Sequence, residues 1–324
     1  MGSGAVKEIR VSELNTDEFI SEKAKEISSV VGQGVAINAL SGGVDSSAVT
    51  MLGHKALGER LKTYFIDNGI MRRQEPEQIV DIFRKLGVKV EIIDAQDKFF
   101  NALKGITEPE EKREAITQTF YKDVFAGLVR KSGAKYLLQG TILTDIDETV
   151  AGIKRQHNVF EQLGIDPQEA FGYKIIEPLV QLRKDGVRKV AEALGLPKGV
   201  FNRMPFPGPA LSARVIGAVN RENIELVRIA TSITEEELSS SGAFQYMAIL
   251  HNDRVTGMRD GKRDFGLQIE IRCWDSVDAR NARPSRLSFD TLDKLSQRIT
   301  SEVPGVVSVT YNIATKPPST MEAV

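Results

Sequence analysis

The stretch L-S-G-G-V-D-S-S at Leu40–Ser47 decides the fold. It follows the mostly apolar run Val35–Leu40, which predicts a buried strand, and precedes Ala48–Leu57, which predicts a helix. The paired glycines allow a backbone that an anion can approach closely. The aspartate and the last two serines fall at the predicted helix start, where unpaired N–H groups and the helix dipole favour negative charge. The stretch therefore predicts a phosphate-binding loop; the alternative is an ordinary helix cap after a glycine turn.

Strands and helices alternate after this loop, and this alternation predicts a parallel sheet with right-handed crossovers. Ligands of such sheets bind beyond the carboxyl ends of the strands. Two turns lie at predicted strand ends, Asp67–Gly69 and Gln139–Thr141, and both are candidate nucleotide contacts. Asp67–Gly69 could equally be a simple turn. The predicted strands are Leu61–Ile66, Val88–Ile93, Ala134–Leu138 and Tyr173–Ile176, and the predicted helices include Asn15–Val31, Pro76–Leu86, Glu110–Lys131 and Asp185–Leu194. Asn15 and Glu18 are the predicted cap pair of the first helix.

An acidic group just past the fourth predicted strand suggests a magnesium site. Mg²⁺ takes few protein oxygens and completes its shell with phosphate and water, so carboxylates near a phosphate loop suit it. The alternative is a solvated acidic turn. The segment of about residues 144–173 shows no strong period, which is typical of a lid. Its acids are Asp145, Asp147 and Glu148, and its cations, which could meet phosphate charge, are Lys154, Arg155 and His157.

A second domain is predicted after the run P-F-P-G-P at 205–209, which stops regular structure. We expect domains 1–204 and 205–324. Apolar residues alternate over Phe265–Trp274 and Val307–Ile313, and this period of two predicts strands with one buried face, usually antiparallel. An amphipathic helix lies between them, so the domain is expected to be small and α+β. Cys273 falls on the apolar face and is expected to be a core residue.

Composition excludes several classes of protein. The formal net charge is −1, so no global basic field favours nucleic acid. No apolar run approaches the roughly 18 residues of a membrane span, and the N-terminus lacks an apolar signal core. The single cysteine rules out an internal disulfide and fits a reducing cytoplasm. These totals predict a cytoplasmic enzyme or binding protein without a membrane or nucleic-acid partner.

The loop resembles the S-G-G-x-D-S pyrophosphate loop of the N-type ATP pyrophosphatases (the PP-loop superfamily). Further stretches make the chain similar to the ATP-pyrophosphatase part of the GMP synthetase family, from about Ile20 to Glu322. The resemblance implies an adenine nucleotide alpha-hydrolase-like α/β domain followed by a smaller α+β dimerisation domain. The stretches that carry it are Q-G-T-I at 139–142, E-P-L-V at 177–180, G-L-P at 195–197, P-F-P-G-P-A-L-S-A-R-V at 205–215 and T-K-P-P-S-T-M-E at 315–322.

The family's reaction, which the resemblance implies here, converts XMP, ATP and ammonia to GMP, AMP and diphosphate through an adenyl-XMP intermediate, with ATP and Mg²⁺ as cofactors. The implied catalytic residues are Asp45, Lys154 and His157, and the implied metal ligands are Asp45, Asp145 and Glu148. The implied ATP-binding residues are Ser41, Gly42, Gly43, Val44, Asp45, Ser46, Ser47, Asp67, Gly69, Gln139 and Gly140. The implied XMP-binding residues are Arg214, Lys316, Thr320 and Glu322.

The chain departs from the family at two motifs. The lid motif, K-S-H-H-N in many relatives, is K-R-Q-H-N at 154–158. One histidine of the pair is missing, so His157 is the lone candidate for the role of that pair. The tail ends M-E-A-V where relatives usually end I-E-W-E. In the family this tail can complete the XMP site of a dimer, so a homodimer is expected. Taken alone, Lys316 could instead be a solvated side chain.

We expect no glutaminase segment ahead of the loop strand, because only about residues 9–31 are available there. The chain is therefore expected to use free ammonia or ammonia from a separate glutamine amidotransferase subunit. Three rivals remain. NAD synthetase shares the loop but not the P-F-P-G-P segment or the K-P-P-x-T tail. A nucleotide-sensing regulator would lack residues for a second substrate, and a tRNA-modifying enzyme would be expected to carry a basic surface or zinc cysteines.

Overall fold

The structure is a computed structural model that describes residues 6–150, 173–204, 206–259, 261–277 and 279–323, without the side chains of 148–150 and 259. Its strands are β1 (Ala36–Ala39), β2 (Leu61–Asp67), β3 (Val90–Asp94), β4 (Tyr136–Leu138), β5 (Lys174–Ile176), β6 (Val215–Ile216), β7 (Gln245–Arg259), β8 (Lys262–Ser276), β9 (Ala282–Pro284) and β10 (Val306–Tyr311). Its α-helices are α1 (Thr16–Val31), α2 (Val44–Leu57), α3 (Glu75–Lys85), α4 (Gln96–Leu103), α5 (Pro109–Gln118), α6 (Ala126–Ser132), α7 (Leu143–Val150), α8 (Lys184–Ala193), α9 (Lys198–Phe201), α10 (Arg221–Leu238) and α11 (Phe289–Glu302).

The first sheet is parallel, as the alternation of strands and helices predicts. Its order is β3-β2-β1-β4-β5, and every neighbouring pair runs parallel. The predicted boundaries differ from the observed ones by at most four residues at either end; α2, for example, begins at Val44 rather than Ala48. The α1 cap is also as predicted, because the Asn15 side chain accepts a hydrogen bond from the Glu18 N–H. Strand β1 ends at Ala39 and α2 begins at Val44, so the carboxyl end of β1 leads directly into the glycine-rich loop.

Residues Glu110–Lys131 are helical as predicted, but they do not form one regular α-helix. The segment is α5, then a π-helical stretch at Thr119–Phe125, then α6. Three consecutive residues, Val124, Phe125 and Ala126, are buried, which one face of a regular helix does not allow. The π stretch shifts the buried face between the two helices, and a hydrophobic period taken over the whole segment does not register such a shift.

The second sheet is mixed. Its order is β10-β8-β7-β6, and β9 pairs with β8. The strands expected at Phe265–Trp274 and Val307–Ile313 are present as β8 and β10, but the antiparallel expectation is wrong for β10, which pairs parallel with β8. Helix α11 connects these strands, and a helical crossover returns the chain in the same direction. Cys273 is buried, as expected, and burial raises the pKa of its thiol.

The described chain divides into two compact units. The first comprises Met1–Asp67, Glu75–Asp94 and Phe120–Arg203 and contains the parallel sheet. The second comprises Asn68–Gln74, Ala95–Thr119 and Met204–Val324 and contains the mixed sheet. Each unit is thus built from separated stretches of sequence, and the predicted domain boundary at residue 204 stays a prediction. In the part of the chain that the structure describes, no helix is long and apolar enough to cross a membrane.

A buried lysine ties α5 to the second sheet. Lys112 has an exposed fraction of 0%, and its Nζ donates a hydrogen bond to the Val215 carbonyl at 2.7 Å. Burial disfavours the ammonium form and lowers the pKa of Lys112 to about 8. The same amine titrates at 10.5 when unperturbed. The native protein therefore releases this proton at a lower pH than the unfolded chain does.

This difference predicts that the free energy of unfolding rises with pH between about 8 and 10.5. In that window the unfolded chain binds more protons at Lys112 than the native chain, and the total gain is on the order of 3 kcal/mol. Below pH 8 the cost of burying the charged amine is fully present. Denaturant titrations at pH 7 and pH 10 should show this gain in the wild type relative to Lys112→Met. If the free energies of unfolding of the two proteins differed by the same amount at pH 7 and pH 10, the lowered pKa of Lys112 would be contradicted.

Candidate active site

The glycine-rich loop is closed by the hydroxyl of Ser46. Its Oγ accepts a hydrogen bond from the Ser41 N–H at 3.2 Å, lies 2.9 Å from the Ser41 Oγ, and donates to the Gly43 carbonyl at 3.0 Å. Gly43 is the N-cap of α2 and supplies no side-chain hydrogen bond to it. The loop hydroxyls therefore organise the loop itself, which favours a phosphate-binding function over an ordinary helix cap. Val44 and Ser47, which complete the motif, are buried in the first turn of α2.

Gly42 occupies a position that requires glycine. Its φ is 76°, and an added Cβ would lie 3.2 Å from both the Arg203 Nη1 and the Ile79 Cγ1. Arg203 is held at the loop by two contacts, one to Glu75 at 2.5 Å and one from Nη1 to the Gly42 carbonyl at 3.4 Å. No sequence motif marks this arginine. It places a guanidinium group beside the loop, where it adds positive charge next to a candidate anion site.

Asp45 is held in place by a lysine that lies outside the predicted site. The Lys184 Nζ, at the start of α8, lies 2.6 Å from the Asp45 Oδ2. The other carboxylate oxygen, Oδ1, is buried and has no hydrogen-bond partner among the described residues. A buried, unpaired anionic oxygen is costly, so it marks a position for a metal ion or a donor from a ligand. The sequence held one signal for Lys184, its position four residues after the E-P-L-V stretch.

The turn after β4 packs against the loop. A Cβ on Gly140 would lie 3.2 Å from the Asp45 carbonyl carbon and from the Ser46 nitrogen. Glycine at position 140 therefore serves the close approach of two backbone segments. The neighbouring Thr141 donates to the Glu177 Oε1 at 2.6 Å, and this bond fixes the end of β4 to the segment after β5. The predicted ATP contacts of Gln139 and Gly140 stay predictions.

The predicted contact at Asp67–Gly69 is a genuine turn. Asp67 ends β2 in register with Asp94 of β3. The Asn68 Oδ1 accepts a hydrogen bond from the Ile70 N–H at 3.0 Å, which is an Asx-type turn. Gly69 has a φ of 72°, and its carbonyl accepts a hydrogen bond from Arg228 at 2.9 Å. The turn geometry accounts for the glycine, and a nucleotide role for Asp67 and Gly69 stays a prediction.

The acids predicted for Mg²⁺ lie on helix α7 rather than in a turn. The Asp145 Oδ2 accepts a hydrogen bond from the Ile142 N–H at 3.0 Å, and Asp147 pairs with Arg183 at 2.8 Å. The side chain of Glu148 lies outside the described residues, as do Lys154, His157 and the predicted lid from residue 151 to 172. No group of three or more His, Cys, Asp or Glu residues within the described ranges could hold a metal.

The C-terminal tail is ordered by its own unit. Lys316 pairs its backbone with Ala282 in an antiparallel bridge, and its Nζ donates to the Ala279 carbonyl at 2.8 Å. Arg272, held by Glu270 at 2.6 Å, donates from Nη1 to three consecutive carbonyls of the tail, those of Thr320, Met321 and Glu322. The tail therefore has a fixed course over the second sheet.

Arg214 and Glu322, both predicted to bind XMP, contact each other. The Arg214 Nε lies 3.5 Å from the Glu322 Oε2, and Gln245 donates to Oε1 of the same carboxylate at 2.7 Å. Arg214 has an exposed fraction of 0%, and its guanidinium lies 4.8 Å from the centroid of the Phe206 ring. Burial lowers the pKa of Arg214 from its ordinary value. Arg214 thus binds the tail through Glu322. Its contact with XMP stays a prediction.

Comparisons with known proteins identify the family. The family model described as GMP synthase C terminal domain matches residues 231–323, and the model described as Asparagine synthase matches residues 36–256. One subunit of the glutamine-hydrolyzing GMP synthase of Pyrococcus horikoshii is 45% identical over 312 residues, which cover 95% of this chain and 99% of the relative. The proteins of the same name from Archaeoglobus fulgidus and Methanocaldococcus jannaschii are 45% and 42% identical over 95% and 94% of this chain, and 99% and 98% of their own lengths. The chain belongs to the family of this GMP synthase subunit, a family of ligases.

Proposed function

We propose that this chain catalyses the ATP-dependent amination of XMP to GMP in purine biosynthesis. The observation that supports this most strongly is the 45% identity to the GMP synthase subunit of Pyrococcus horikoshii along nearly the whole chain. Two covalent steps are required. The xanthine O2 attacks the α-phosphorus of ATP and diphosphate leaves; ammonia then attacks the adenylated ring carbon, loses a proton as the C–N bond forms, and displaces AMP.

The loop is the proposed site of the ATP phosphates. The first N–H groups of α2 lie there on a backbone that the hydroxyls of Ser41 and Ser46 already fix by internal hydrogen bonds. Oriented donors of this kind stabilise the charge that develops on a departing diphosphate. Arg203 adds a cation beside Gly42.

Asp45 is the described side chain that best fits Mg²⁺. Its buried Oδ1 has no hydrogen-bond partner among the described residues, while Lys184 fixes Oδ2 and so orients the carboxylate. When bound, Mg²⁺ neutralises phosphate charge. Asp145 and Glu148 remain proposed ligands, and Lys154 and His157 remain proposed lid residues that would contact phosphate.

The tail is the proposed site of XMP. Lys316 and Thr320 offer a cation and a hydroxyl, and these groups suit a 5′-phosphate. Glu322 would accept hydrogen bonds from the purine ring, with Arg214 and Gln245 holding its carboxylate in position. We further propose that two copies of the chain associate, that a separate glutamine amidotransferase subunit supplies ammonia, and that the enzyme works in the cytoplasm.

The proposal predicts a strict dependence on ammonia. The purified chain with ATP, Mg²⁺ and XMP should form GMP and diphosphate on addition of ammonium and should form none with glutamine, because the proposal assigns glutamine hydrolysis to a separate subunit. Chromatographic detection of GMP and a diphosphate assay measure both products. Diphosphate release without GMP would contradict amination. Amidation of deamido-NAD in place of XMP would favour the NAD synthetase rival, and ATP binding without turnover would favour a regulator.

A further inference from the structure

Three polar side chains lie in the apolar core beneath the loop. Asn38 on β1, Thr50 on α2 and Thr63 on β2 are exposed by only 1%, 0% and 3%. Their neighbours in sequence include Ile37, Val49 and other buried apolar residues. Polar groups in such surroundings cost free energy unless they are hydrogen-bonded, and apolar residues would fill the same space without that cost.

These side chains form one directed chain of hydrogen bonds. The Thr63 Oγ1 donates to the Asn38 Oδ1 at 2.7 Å, and the Asn38 Nδ2 donates to the Thr50 Oγ1 at 2.6 Å. The Thr50 Oγ1 in turn donates to the Ser46 carbonyl at 2.7 Å. Each bond polarises the next in the same direction, so the last bond is strengthened by those before it.

This chain of hydrogen bonds ends at Ser46, the residue whose hydroxyl closes the loop. The Ser46 hydroxyl contacts the Ser41 N–H and the Gly43 carbonyl, and its own carbonyl is the acceptor for Thr50. A threonine that bonds back to the carbonyl four residues earlier bends a helix slightly. Here that bond anchors the first turn of α2, which holds the N–H groups proposed to meet phosphate.

We propose that Asn38, Thr50 and Thr63 are positioning residues for nucleotide binding: they fix the Ser46 peptide, and with it the geometry of the loop, from the core side. This inference rests on the proposed function only in taking the loop as the phosphate site. The inference predicts that replacing all three side chains by apolar ones leaves the stability of the protein nearly unchanged but weakens nucleotide binding.

The test compares Thr50→Val, Thr50→Ser and the triple variant Asn38→Leu/Thr50→Val/Thr63→Val. Replacing every partner by an apolar group of similar shape can be nearly neutral for stability, because no unpaired polar group is left. The triple variant should therefore melt near the wild-type temperature and yet bind AMPCPP, the ATP analogue with a non-hydrolysable α,β-methylene bridge, with Mg²⁺ about tenfold more weakly by calorimetry. Thr50→Ser keeps both hydrogen bonds of Thr50 and should bind as the wild type does.

The matched control is Thr234→Val. Thr234 is also 0% exposed, and its Oγ1 donates to the Ala230 carbonyl at 2.7 Å, so it makes the same back-bond in helix α10. Wild-type AMPCPP affinity in the triple variant, or an equal loss in Thr234→Val, would overturn the proposal. If the triple variant does not fold, equal affinity of Thr50→Val and Thr50→Ser would overturn it. Because no XMP is present, a failure of XMP amination leaves this test intact.

Discussion

The Asp45→Asn enzyme is expected to lose at least about a hundredfold in kcat for GMP formation, because removing one preoriented electrostatic group typically costs 10²–10³ in rate. Asparagine keeps the shape of the side chain but lacks the charge that pairs with Lys184 and that we assign to Mg²⁺. The Asp45 Oδ1 is buried, so water cannot take over its interaction with a ligand. The loss should therefore exceed that from breaking an ion pair on the surface. Steady-state diphosphate release at saturating ATP and XMP measures the effect.

Asp81→Asn is the matched control for Asp45→Asn. Asp81 also pairs with basic side chains, Arg84 at 2.5 Å and Lys85 at 2.6 Å, but these pairs lie on the exposed surface of α3. Its turnover should equal that of the wild type. Circular dichroism melts should show both variants folded. If Asp45→Asn retained wild-type turnover, the assignment of the loop to ATP cleavage would be lost.

The second large effect is expected at the tail. Lys316→Met should raise the KM for XMP about tenfold to a hundredfold and leave the KM for ATP nearly unchanged, because a charge-assisted hydrogen bond contributes roughly 1.5–3 kcal/mol to one ligand only. Lys294→Met, which breaks an exposed pair with Glu237 at 2.8 Å, is the control. Initial rates with each substrate varied in turn separate the two KM values. Equal rises in both would assign Lys316 a structural role through its bond to Ala279.

Mixing variants tests whether the tail serves a second copy. A heterodimer of Lys316→Met and Asp45→Asn chains would contain one active site with both residues intact, provided that the tail of one protomer completes the site of its partner. The mixture should then be more active than either parent. Heterodimers no more active than the parents would show that each chain uses its own tail.

The sequence predicted the features that depend on neighbouring residues. The strand–loop–helix at Leu40–Ser47, the Asn15 cap and the buried face that holds Cys273 all follow from local pattern. The positions of Arg203 and Lys184 at the loop did not follow, because the chain brings Lys184 to Asp45 from 139 residues away. No local period encodes such a pairing.

Periodicity also gave the face of a strand but not its direction. The parallel pairing of β10 with β8 depends on the crossover through α11, and not on the strand sequence. Strand β7 escaped prediction for a different reason. Its residues Met247–Leu250 are consecutively buried, so the strand lacks the alternation that marks a half-exposed strand.

The discontinuity of the second compact unit bears on how the protein is made. Residues 68–74 and 95–119 leave the ribosome well before Met204–Val324, which belong to the same unit. Lys112 emerges without the Val215 carbonyl that it binds in the native state. The nascent chain therefore cannot complete this unit until synthesis is nearly finished, and until then part of its apolar surface stays exposed, which favours aggregation. For the same reason, a gene split at codon 204 would divide the second unit between two fragments. The first fragment would keep all of the first unit, and neither fragment would contain the complete hydrophobic core of the second.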